Sequence, residues 1–279
     1  MSTEEEDIRW PSGFGLDDLV GYGSTGLVVL DSRTHTVVKT PFSPEHRESL
    51  ERERQIYERL GQHDSILAYH GEFEDGVRLD NAPNYDIQSY MRRQHVDSSL
   101  CLRWMTQLAD ALVHIHSHGV LHGDLTTTNI FLDKNLNVRL ADFGASSIDL
   151  LPFLGAVTAS HEYPGGVLSA RGDIFALGSA MYEVNTGKRP FSELTEAEIL
   201  SNFQAGIFPD VQALGDMGGI IQTCWQGGYD DSADLRRSIL AIQHEPEYSY
   251  KVLPPRVLLC ATAVVLLSLI YVKSARIIR

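Results

Sequence analysis

The alternation of apolar and polar positions predicts a hairpin near the start of the chain. The segment GYGSTGLVVLDSRTHTVVKT has an apolar run after Gly26, a polar turn at residues 32–35 and a second apolar run that ends at Lys39. Apolar runs of this length on either side of a short polar turn are typical of two antiparallel strands. Gly21, Gly23 and Gly26 surround the start of the first run, so the backbone there can approach a ligand closely.

Helical periodicity follows this hairpin. Ser43 and Pro44 are typical of a helix start, with a capping hydroxyl and a proline in the first turn, and SPEHRESLERERQIYERL continues the pattern to Leu60. Farther along, WMTQLADALVHIHSHGVLH predicts an amphipathic helix, and GDIFALGSAMYEVNTGKRPF is apolar nearly all round, which is typical of a buried helix. Thr195 and Glu198 form a capping box that begins another helix.

Composition narrows the class of protein. With 279 residues and 43% apolar content, the chain can bury one large bilobal core or two ordinary domains. The 37 acidic and 23 basic residues give a net charge of −14, which argues against non-specific binding to nucleic acid. The odd number of cysteines and their wide spacing favour a reducing compartment. An acidic run at residues 4–7 predicts that residues 1–15 are disordered.

The string HGDLTTTNIFLD, followed by DFG, supplies two carboxylates and an amide in a fixed order: Asp124, Asn129 and Asp142. Phosphoryl transfer depends mainly on rigid positioning of such groups around metal ions and phosphates. Together with the glycine hairpin and Lys39, the string resembles the eukaryotic protein kinase family. The glycines open a hairpin instead of a helix, which distinguishes them from a dinucleotide-binding loop.

The resemblance implies an α+β class and a bilobal protein kinase fold, with a β-rich N-lobe and a helical C-lobe over residues 16–243. It also implies ATP and Mg²⁺ as cofactors and a protein substrate. Asp124 would take the proton of the acceptor hydroxyl, while Asn129 and Asp142 would hold magnesium. Lys39 would contact the α- and β-phosphates. Glu53, which has apolar residues three, four and seven positions later, would be the partner of Lys39.

The same resemblance implies the other contacts to the nucleotide. A predicted strand pair around Phe73 and residues 77–79 leads into DNAPNYDIQSYM, which resembles a kinase hinge with Leu79 as gatekeeper. Backbone groups of the hinge would contact adenine, an aspartate would contact the ribose, and a phenylalanine would lie under the base. The expected nucleotide-binding residues are Gly21, Gly23, Gly26, Val28, Val37, Lys39, Asp80, Ala82, Asp86 and Phe131.

Two residues are implied to be structural. His122 would pack beneath the DFG phenylalanine, Phe143, and would not act as a base. Asp173, which begins DIFALGS, would accept backbone hydrogen bonds from the catalytic loop. Neighbouring histidines at positions 114, 116 and 118 point to different faces of their helix, which argues against a metal site.

Four departures from the family pattern bear on mechanism. Gly123 replaces the arginine that reads an activation-loop phosphate, so we predict that loop phosphorylation is not the switch. Thr126 replaces a lysine that neutralises the transferring phosphoryl group, which predicts slow turnover. Gly165 replaces the glutamate of A-P-E, whose arginine partner is also missing. The activation segment, residues 142–164, is short and leaves little platform for a peptide.

Three functions stay open on this pattern. The first is an active ATP-dependent serine/threonine protein kinase, which the set of catalytic residue types favours. The second is a pseudokinase that serves as a membrane-tethered nucleotide-binding or scaffold module, which the departures favour. The third is a small-molecule phosphotransferase, because HGDL followed by an asparagine also resembles aminoglycoside and choline kinases.

Residues 257–272, VLLCATAVVLLSLIYV, contain sixteen residues without a charge. As a helix they would span about 24 Å, somewhat less than a hydrocarbon core of about 30 Å. We expect a transmembrane helix, preceded by a linker at 244–256 and followed by a basic tail at 273–279. This predicts a tail-anchored protein with its kinase domain in the cytosol, on the endoplasmic reticulum or the mitochondrial outer membrane. The alternatives are a buried C-terminal helix or sequence appended by an erroneous gene prediction.

Overall fold

In the computed structural model, residues 10–23 and 25–244 are described. An antiparallel sheet and one long helix form their first part. The strands pair in the order β1-β2-β3-β5-β4, and their bounds are β1 Leu19–Tyr22, β2 Gly26–Asp31, β3 Thr36–Pro41, β4 Tyr69–Phe73 and β5 Gly76–Asp80. The hairpin predicted around residues 32–35 is the β2–β3 turn, where Val28 pairs with Lys39.

Helix α1 (Arg47–Leu60) lies between β3 and β4 and ends at the predicted residue. The helical run starts at Pro44 as predicted, because the 3-10 turn Pro44–His46 leads directly into α1, but the predicted side-chain cap is wrong. The Ser43 hydroxyl lies 3.0 Å from the Nδ1 atom of His46 and does not cap a backbone amide. An imidazole three residues away competes for the hydroxyl, and composition alone does not reveal such a competitor.

The second part of the chain is mainly helical. Helices α3 and α4 form its centre, and twelve residues of α4 are buried, as the apolar pattern predicts. The Thr195–Glu198 capping box is present at the start of α5. Two short ladders, β6–β9 and β7–β8, carry the catalytic loop and the DFG string. The bounds are α2 Ile87–Met91, α3 Ser98–Ser117, β6 Val120–Leu121, β7 Ile130–Leu132, β8 Val138–Leu140, β9 Ser147–Ile148, α4 Ala170–Thr186, α5 Glu196–Gln204, α6 Gly215–Trp225 and α7 Ser232–His244.

One hydrophobic core runs from the sheet through α1 into the helical part. A smaller cluster, Leu27, Val29 and Val38, lies on the other face of the sheet and is covered by Trp10 and Phe14. For residues 10–15 the prediction of disorder is therefore wrong, because two aromatic rings from this segment cover apolar side chains of the sheet. Residues 1–9 lie outside the described part.

The α+β class and the sheet-then-helix arrangement fit the bilobal fold that the resemblance implied. The end of the linker (from residue 245), the apolar segment 257–272 and the basic residues 273–279 lie outside the described residues. Within residues 10–23 and 25–244, no helix is both long and apolar enough to cross a bilayer.

Candidate active site

Lys39 is the charged centre of the cleft. Its Nζ atom donates to Glu53 Oε2 at 2.8 Å and to Asp142 Oδ1 at 2.7 Å. Lys39 is 8% exposed and Glu53 is fully buried, whereas the Asp142 side chain is 47% exposed. The strand β3, the helix α1 and the DFG string therefore meet at one ammonium group, and the carboxylate on its open side is Asp142.

Burial and pairing oppose each other in these three groups. Burial by itself would lower the pKa of Lys39, but the carboxylates of Glu53 and Asp142 outweigh it and raise the pKa above its ordinary value. Burial raises the pKa of Glu53 more than Lys39 lowers it. Lys39 holds the pKa of Asp142 below its usual range. Asp142 thus stays ionised, as a metal ligand must be.

Four aromatic rings connect α1 and the sheet to the catalytic loop. Tyr69 stacks on Tyr57 with ring centroids 5.7 Å apart, and Tyr57 meets Phe143 edge-on at 5.2 Å. Phe143 lies 5.1 Å from the ring of His122, which confirms the predicted packing of these two side chains. These contacts connect the helix that carries Glu53 to the DFG string through packed aromatic rings.

Asp124 lies in a short loop between β6 and β7 and is oriented by two neighbours. The Nδ2 atom of Asn129 donates to the backbone oxygen of Asp124 at 2.8 Å and to its Oδ2 atom at 2.9 Å. The hydroxyl of Thr158 donates to the Oδ1 atom at 3.2 Å. The amide of Ala141 donates to the Asn129 carbonyl at 3.1 Å, which joins this loop to the residue before Asp142.

A buried aspartate of α4 holds the start of the same loop. The amides of His122 and Gly123 donate to the two carboxylate oxygens of Asp173 at 2.8 and 2.9 Å, as expected from the sequence. His116 Nε2 donates to the same carboxylate at 2.9 Å. Burial by itself would raise the pKa of Asp173, but its donors lower it, with His116 first among them. His116 therefore has a structural partner in the described part.

The close backbone approach in the glycine hairpin is between its own two strands, so the predicted approach to a triphosphate stays a prediction. Gly26 allows the strands to approach, because a Cβ atom there would lie 2.1 Å from the backbone oxygen of Thr40. Gly23 donates to the carbonyl of Gly26 at 3.0 Å and closes the turn. Gly21 lies opposite Val28 in the β1–β2 pair.

The residues expected to surround adenine lie in one apolar region. Val37 and Leu79 are buried and face each other across β3 and β5. Val28, Ala82 and Phe131 pack against the same cluster. All five side chains therefore belong to or pack against one core, and Val37 and Leu79 are directly paired in the sheet.

The hinge residues have additional roles of their own. The Asp80 amide already donates to the carbonyl of Ala68 at 2.9 Å, so any backbone contact from Asp80 to adenine must use its carbonyl. The Asp86 side chain accepts from the Ser89 amide at 2.8 Å and caps α2. Its predicted contact with ribose stays a prediction, with the cap holding the carboxylate in place.

The three departures that replace a charged residue, Gly123, Thr126 and Gly165, each have an uncharged neighbour in close contact. Gly123 has a positive φ of 76°, and a Cβ atom there would lie 2.5 Å from the ring of Phe153. Thr126 is buried, and its hydroxyl lies 2.8 Å from that of Thr128. At Gly165 a Cβ atom would lie 2.6 Å from the ring of Tyr163.

Two arginines of α1 hold the segment that follows DFG. Arg52 donates to the carbonyls of Ser146 and Pro152 at 3.1 and 3.2 Å. Arg59 forms two hydrogen bonds, 3.1 and 3.0 Å long, with the carboxylate of Asp149. Paired contacts of this kind fix both position and orientation.

The donor set fits a magnesium ion that is also held by phosphates. The Nδ2 atom of Asn129 is used by Asp124, so its Oδ1 atom is the one available to a cation. Asp142 adds an ionised, half-exposed carboxylate. Two protein oxygens are a usual share for Mg²⁺, which takes its other ligands from water and substrate phosphates.

The family model "Protein kinase domain" matches residues 14–212. The chain belongs to the protein kinase family. The match includes the glycine hairpin, Lys39, Glu53, the catalytic loop and DFG, and it ends at the 3-10 turn Gln212–Leu214.

Several relatives of this kinase domain are serine/threonine protein kinases. Mitogen-activated protein kinase kinase kinase 9 of Arabidopsis thaliana is 28% identical over 163 residues, which are 54% of this chain and 21% of the relative. Serine/threonine-protein kinase PLK4 of Danio rerio is 29% identical over 158 residues, 52% of this chain and 17% of the relative. Serine/threonine-protein kinase ppk16 of Schizosaccharomyces pombe is 30% identical over 214 residues, which are 67% of this chain and 31% of the relative. The chain therefore matches less than a third of each of these proteins.

Sequence reasoning missed two features of the site. Thr158 has no role in the sequence-based prediction of the site, yet its hydroxyl donates to Asp124 at 3.2 Å. Glu183, buried in α4, accepts from Thr127 in the catalytic loop at 3.0 Å and from Gln88 in α2 at 3.3 Å. A glutamate within an otherwise apolar helix was the available signal, because a buried carboxylate requires partners.

Proposed function

We propose that this domain transfers the terminal phosphoryl group of magnesium-bound ATP to serine or threonine hydroxyls of proteins. In this proposal Lys39 binds the α- and β-phosphates and Glu53 orients Lys39. Asp124 orients the acceptor hydroxyl and takes its proton. Asn129 and Asp142 would hold Mg²⁺, which neutralises charge on the phosphates when bound.

The observation that carries the proposal is the double pairing of Lys39. Lys39 donates to the glutamate of α1 at 2.8 Å and to the DFG aspartate at 2.7 Å. These two bonds place β3, α1 and the DFG string at one point of the cleft. Catalysis of phosphoryl transfer depends on such positioning more than on bond-making by the protein.

A groove beside Asp124 favours a protein acceptor over a small alcohol. It has a volume of about 420 Å³ and is bordered by Thr158, Ser160, Lys188, Arg189 and Phe191. Because Thr158 also donates to Asp124, the groove leads to the proposed base. An open, extended surface next to the base suits a peptide segment, whereas sites for small molecules enclose most of the ligand.

Thr126 supports a slow enzyme. Its buried hydroxyl bonds Thr128, so this position supplies no positive charge to the transferring group. Loss of one charge-stabilising contact lowers the rate by about a hundredfold or more. If the loss of rate were complete, the domain would be a pseudokinase. Phosphate incorporation measured against an inactive variant separates a slow enzyme from a pseudokinase.

The test is incorporation of radiolabelled phosphate from ATP into casein by the full-length chain, with and without magnesium. The matched control is Asp124→Asn, which keeps the size of the side chain and its contact with Asn129. We expect magnesium-dependent incorporation at least about a hundredfold above the control. Incorporation equal to the control, with a clear thermal shift on adding magnesium-ATP, would favour the pseudokinase. Phosphate on choline or an aminoglycoside alone would favour the third function.

We also propose that residues 257–272 insert into a membrane, because a run of sixteen residues without charge has no polar face to leave in water. The endoplasmic reticulum and the mitochondrial outer membrane both fit the flanking basic residues. Alkaline carbonate extraction of cells that express the full-length chain tests this. Recovery in the membrane pellet is expected, and release into the supernatant would overturn it.

A further inference from the structure

A groove behind the hinge gathers basic side chains that lack acidic partners. Most lysines and arginines of the described part form an ion pair with a carboxylate, as Arg47 does with Asp75. Arg93, Arg103 and Lys134 have no such partner among the described residues, although the chain carries a net charge of −14. In so acidic a protein, unpaired cations at one place are unexpected.

The groove lies between the hinge, α2 and the turn that joins β7 to β8. Its volume is about 410 Å³, and its lining includes Tyr85, Tyr90, Arg93, Lys134 and Leu136. None of its eight lining residues is acidic. Arg103 borders it from α3, where it donates to the carbonyl of Leu136 at 3.1 Å.

Tyr85 is an unusual residue for this position. Its φ of 62° lies in the left-handed region, which a bulky residue rarely adopts, and its ring is 53% exposed. The Leu132 amide holds this conformation by donating to the Tyr85 carbonyl at 2.8 Å. The guanidinium of Arg93 lies 4.7 Å from the centre of the ring. A strained backbone that presents an exposed aromatic ring is typical of a binding surface.

The groove beside Asp124, by contrast, carries both signs of charge. It contains Glu183 and Glu196 as well as Lys188 and Arg189. Only complementary charge gives an anionic ligand a net electrostatic gain at such a surface. The groove behind the hinge has that property, because cations surround it and carboxylates are absent from its lining.

We propose that this groove docks an acidic peptide segment of a partner protein. Carboxylates of the peptide would contact Arg93 and Lys134, and an apolar residue would lie against Tyr85, Tyr90 and Leu136. A peptide fits better than a nucleic acid, because three cations on a strongly acidic chain give little gain from phosphate neutralisation. Within the described residues, the groove lining makes no contact with Lys39, Asp124 or Asp142, so docking does not depend on phosphoryl transfer.

Fluorescence anisotropy of the full-length chain tests the proposal. The probes are a labelled twelve-residue peptide with four glutamates and two leucines, the same peptide with glutamines, and a labelled single-stranded oligonucleotide. The variant is Arg93→Glu with Lys134→Glu, and the matched control is Arg33→Glu with Arg171→Glu, two exposed arginines that line neither this groove nor the one beside Asp124. Thermal melting checks that every variant is folded.

We expect the glutamate peptide to bind at least about tenfold more tightly than the glutamine peptide. The double charge reversal in the groove should abolish this preference, and Arg33→Glu with Arg171→Glu should leave it unchanged. Equal binding of the two peptides, or an unchanged preference in the folded double variant, would overturn the proposal. Tighter binding of the oligonucleotide would also overturn it.

The acidic start of this chain is the competing occupant. The variant Glu4→Gln, Glu5→Gln, Glu6→Gln and Asp7→Asn removes its charge. Unchanged affinity for the glutamate peptide in this variant supports a partner segment as the occupant. Binding that appears only in this variant would show that the chain fills its own groove, and it would overturn the partner interpretation.

Discussion

On the nucleotide side of the cleft, Lys39, Glu53 and Asp142 keep the charges of the kinase pattern and bond one another. On the activation-segment side, glycine or threonine stands at three positions where that pattern has charged residues. Phe153 lies over Gly123, and Tyr163 lies against Gly165. The nucleotide side therefore keeps its charges as a complete set, whereas uncharged residues replace three charges of the pattern on the activation-segment side.

This difference shows how a buried charge can be lost safely. Removing one member of a buried pair leaves an uncompensated charge, whereas removing both leaves only a space to fill. The space at Gly123 is filled by the ring of Phe153, and a hydroxyl pair replaces charge at Thr126. Such fitted neighbours are the mark of a fold that has adapted to its substitutions, and they support an enzyme with altered control of its activation segment.

The largest effect is expected from Lys39→Met, which removes the ammonium group from the nucleotide side of the cleft, here called the charged side. The activation-segment side is called the uncharged side. Glu53 is fully buried, and its Oε1 atom has no hydrogen-bond partner among the described residues, so Lys39 is its main compensation. We expect the free energy of unfolding to fall by about 3–5 kcal/mol at neutral pH. Urea denaturation measures this loss.

The control for Lys39→Met is the double variant Lys39→Met with Glu53→Leu. It should regain much of the lost stability while remaining inactive, because both charges are gone. The deficit of the single variant should also shrink as the pH falls, since a proton on Glu53, whose pKa burial raises, neutralises the carboxylate. A single variant as stable as the wild type would contradict the description of this pair.

On the uncharged side, the variant Gly123→Ala tests the packing of Phe153 by adding one methyl group. The substitution forces alanine into a positive φ and brings its Cβ to within 2.5 Å of the Phe153 ring. Gly187→Ala is the matched control, because Gly187 has a φ of 74° with no atom near the added methyl. We expect the control to cost about 1 kcal/mol. Gly123→Ala should cost about 1–3 kcal/mol more, as measured by urea denaturation.

A double-mutant cycle with Phe153→Ala then isolates the clash. If the ring is the obstacle, the extra cost of Gly123→Ala should disappear once the ring is removed. An extra cost that persists in the Phe153→Ala background would mean that the backbone, and not the ring, excludes a side chain at this position.

Protonation of His161 would place a reversible charge on the uncharged side, with a smaller expected effect on stability. His161 is 1% exposed and its Nε2 atom has no hydrogen-bond partner among the described residues. Burial, assisted by Arg189, lowers its pKa to about 3. Between its ordinary pKa and this value the unfolded chain binds one more proton, so stability falls as the pH falls.

Between pH 7 and pH 5 this histidine should remove about 2 kcal/mol from the free energy of unfolding. The reference is His161→Gln, which cannot take up the proton but keeps a polar group beside Ser160. Urea denaturation of both proteins at each pH gives the difference, in which the other titrating groups cancel. Parallel pH profiles would show that His161 is not held neutral.

The sequence predicted the charged side well for a physical reason. Lys39 directly follows a β-branched run, and Glu53 is followed by apolar residues at helical spacing, so each has a local signal. Asp124 and Asn129 lie five residues apart in one loop, so that short string carries most of their geometry. Local periodicity and short strings therefore suffice for this part of the site.

The uncharged side was harder to predict because its contacts join loops without periodicity. Phe153 meets Gly123 across thirty residues, and Thr158 meets Asp124 across thirty-four. The sequence shows that Gly123 replaces the arginine of the pattern, but it does not show that the Phe153 ring occupies the space beside it. The Ser43 cap failed for a similar reason, since a nearby imidazole takes the hydroxyl.

The smallest expected effect concerns phosphorylation of the activation segment. Phosphatase treatment of the purified chain should change its rate of phosphoryl transfer by less than about tenfold, because no arginine at position 123 is available to bind a phosphate. Arg52 and Arg59 already hold the segment through carbonyl groups and Asp149.

Thr158→Asp sharpens this test, because a carboxylate at Thr158 would face Asp124, which the present hydroxyl contacts at 3.2 Å. Like charges so close repel, so the variant should be slower than the wild type, with Thr158→Asn as the uncharged control of equal size. The hydroxyls of Ser146, Ser147 and Ser160 are buried and offer a modifying enzyme no access without local opening. A rise of more than about tenfold on phosphorylation of any of these residues or Tyr163 would mean that the segment is switched by phosphate after all, through a cation other than the one that Gly123 has replaced.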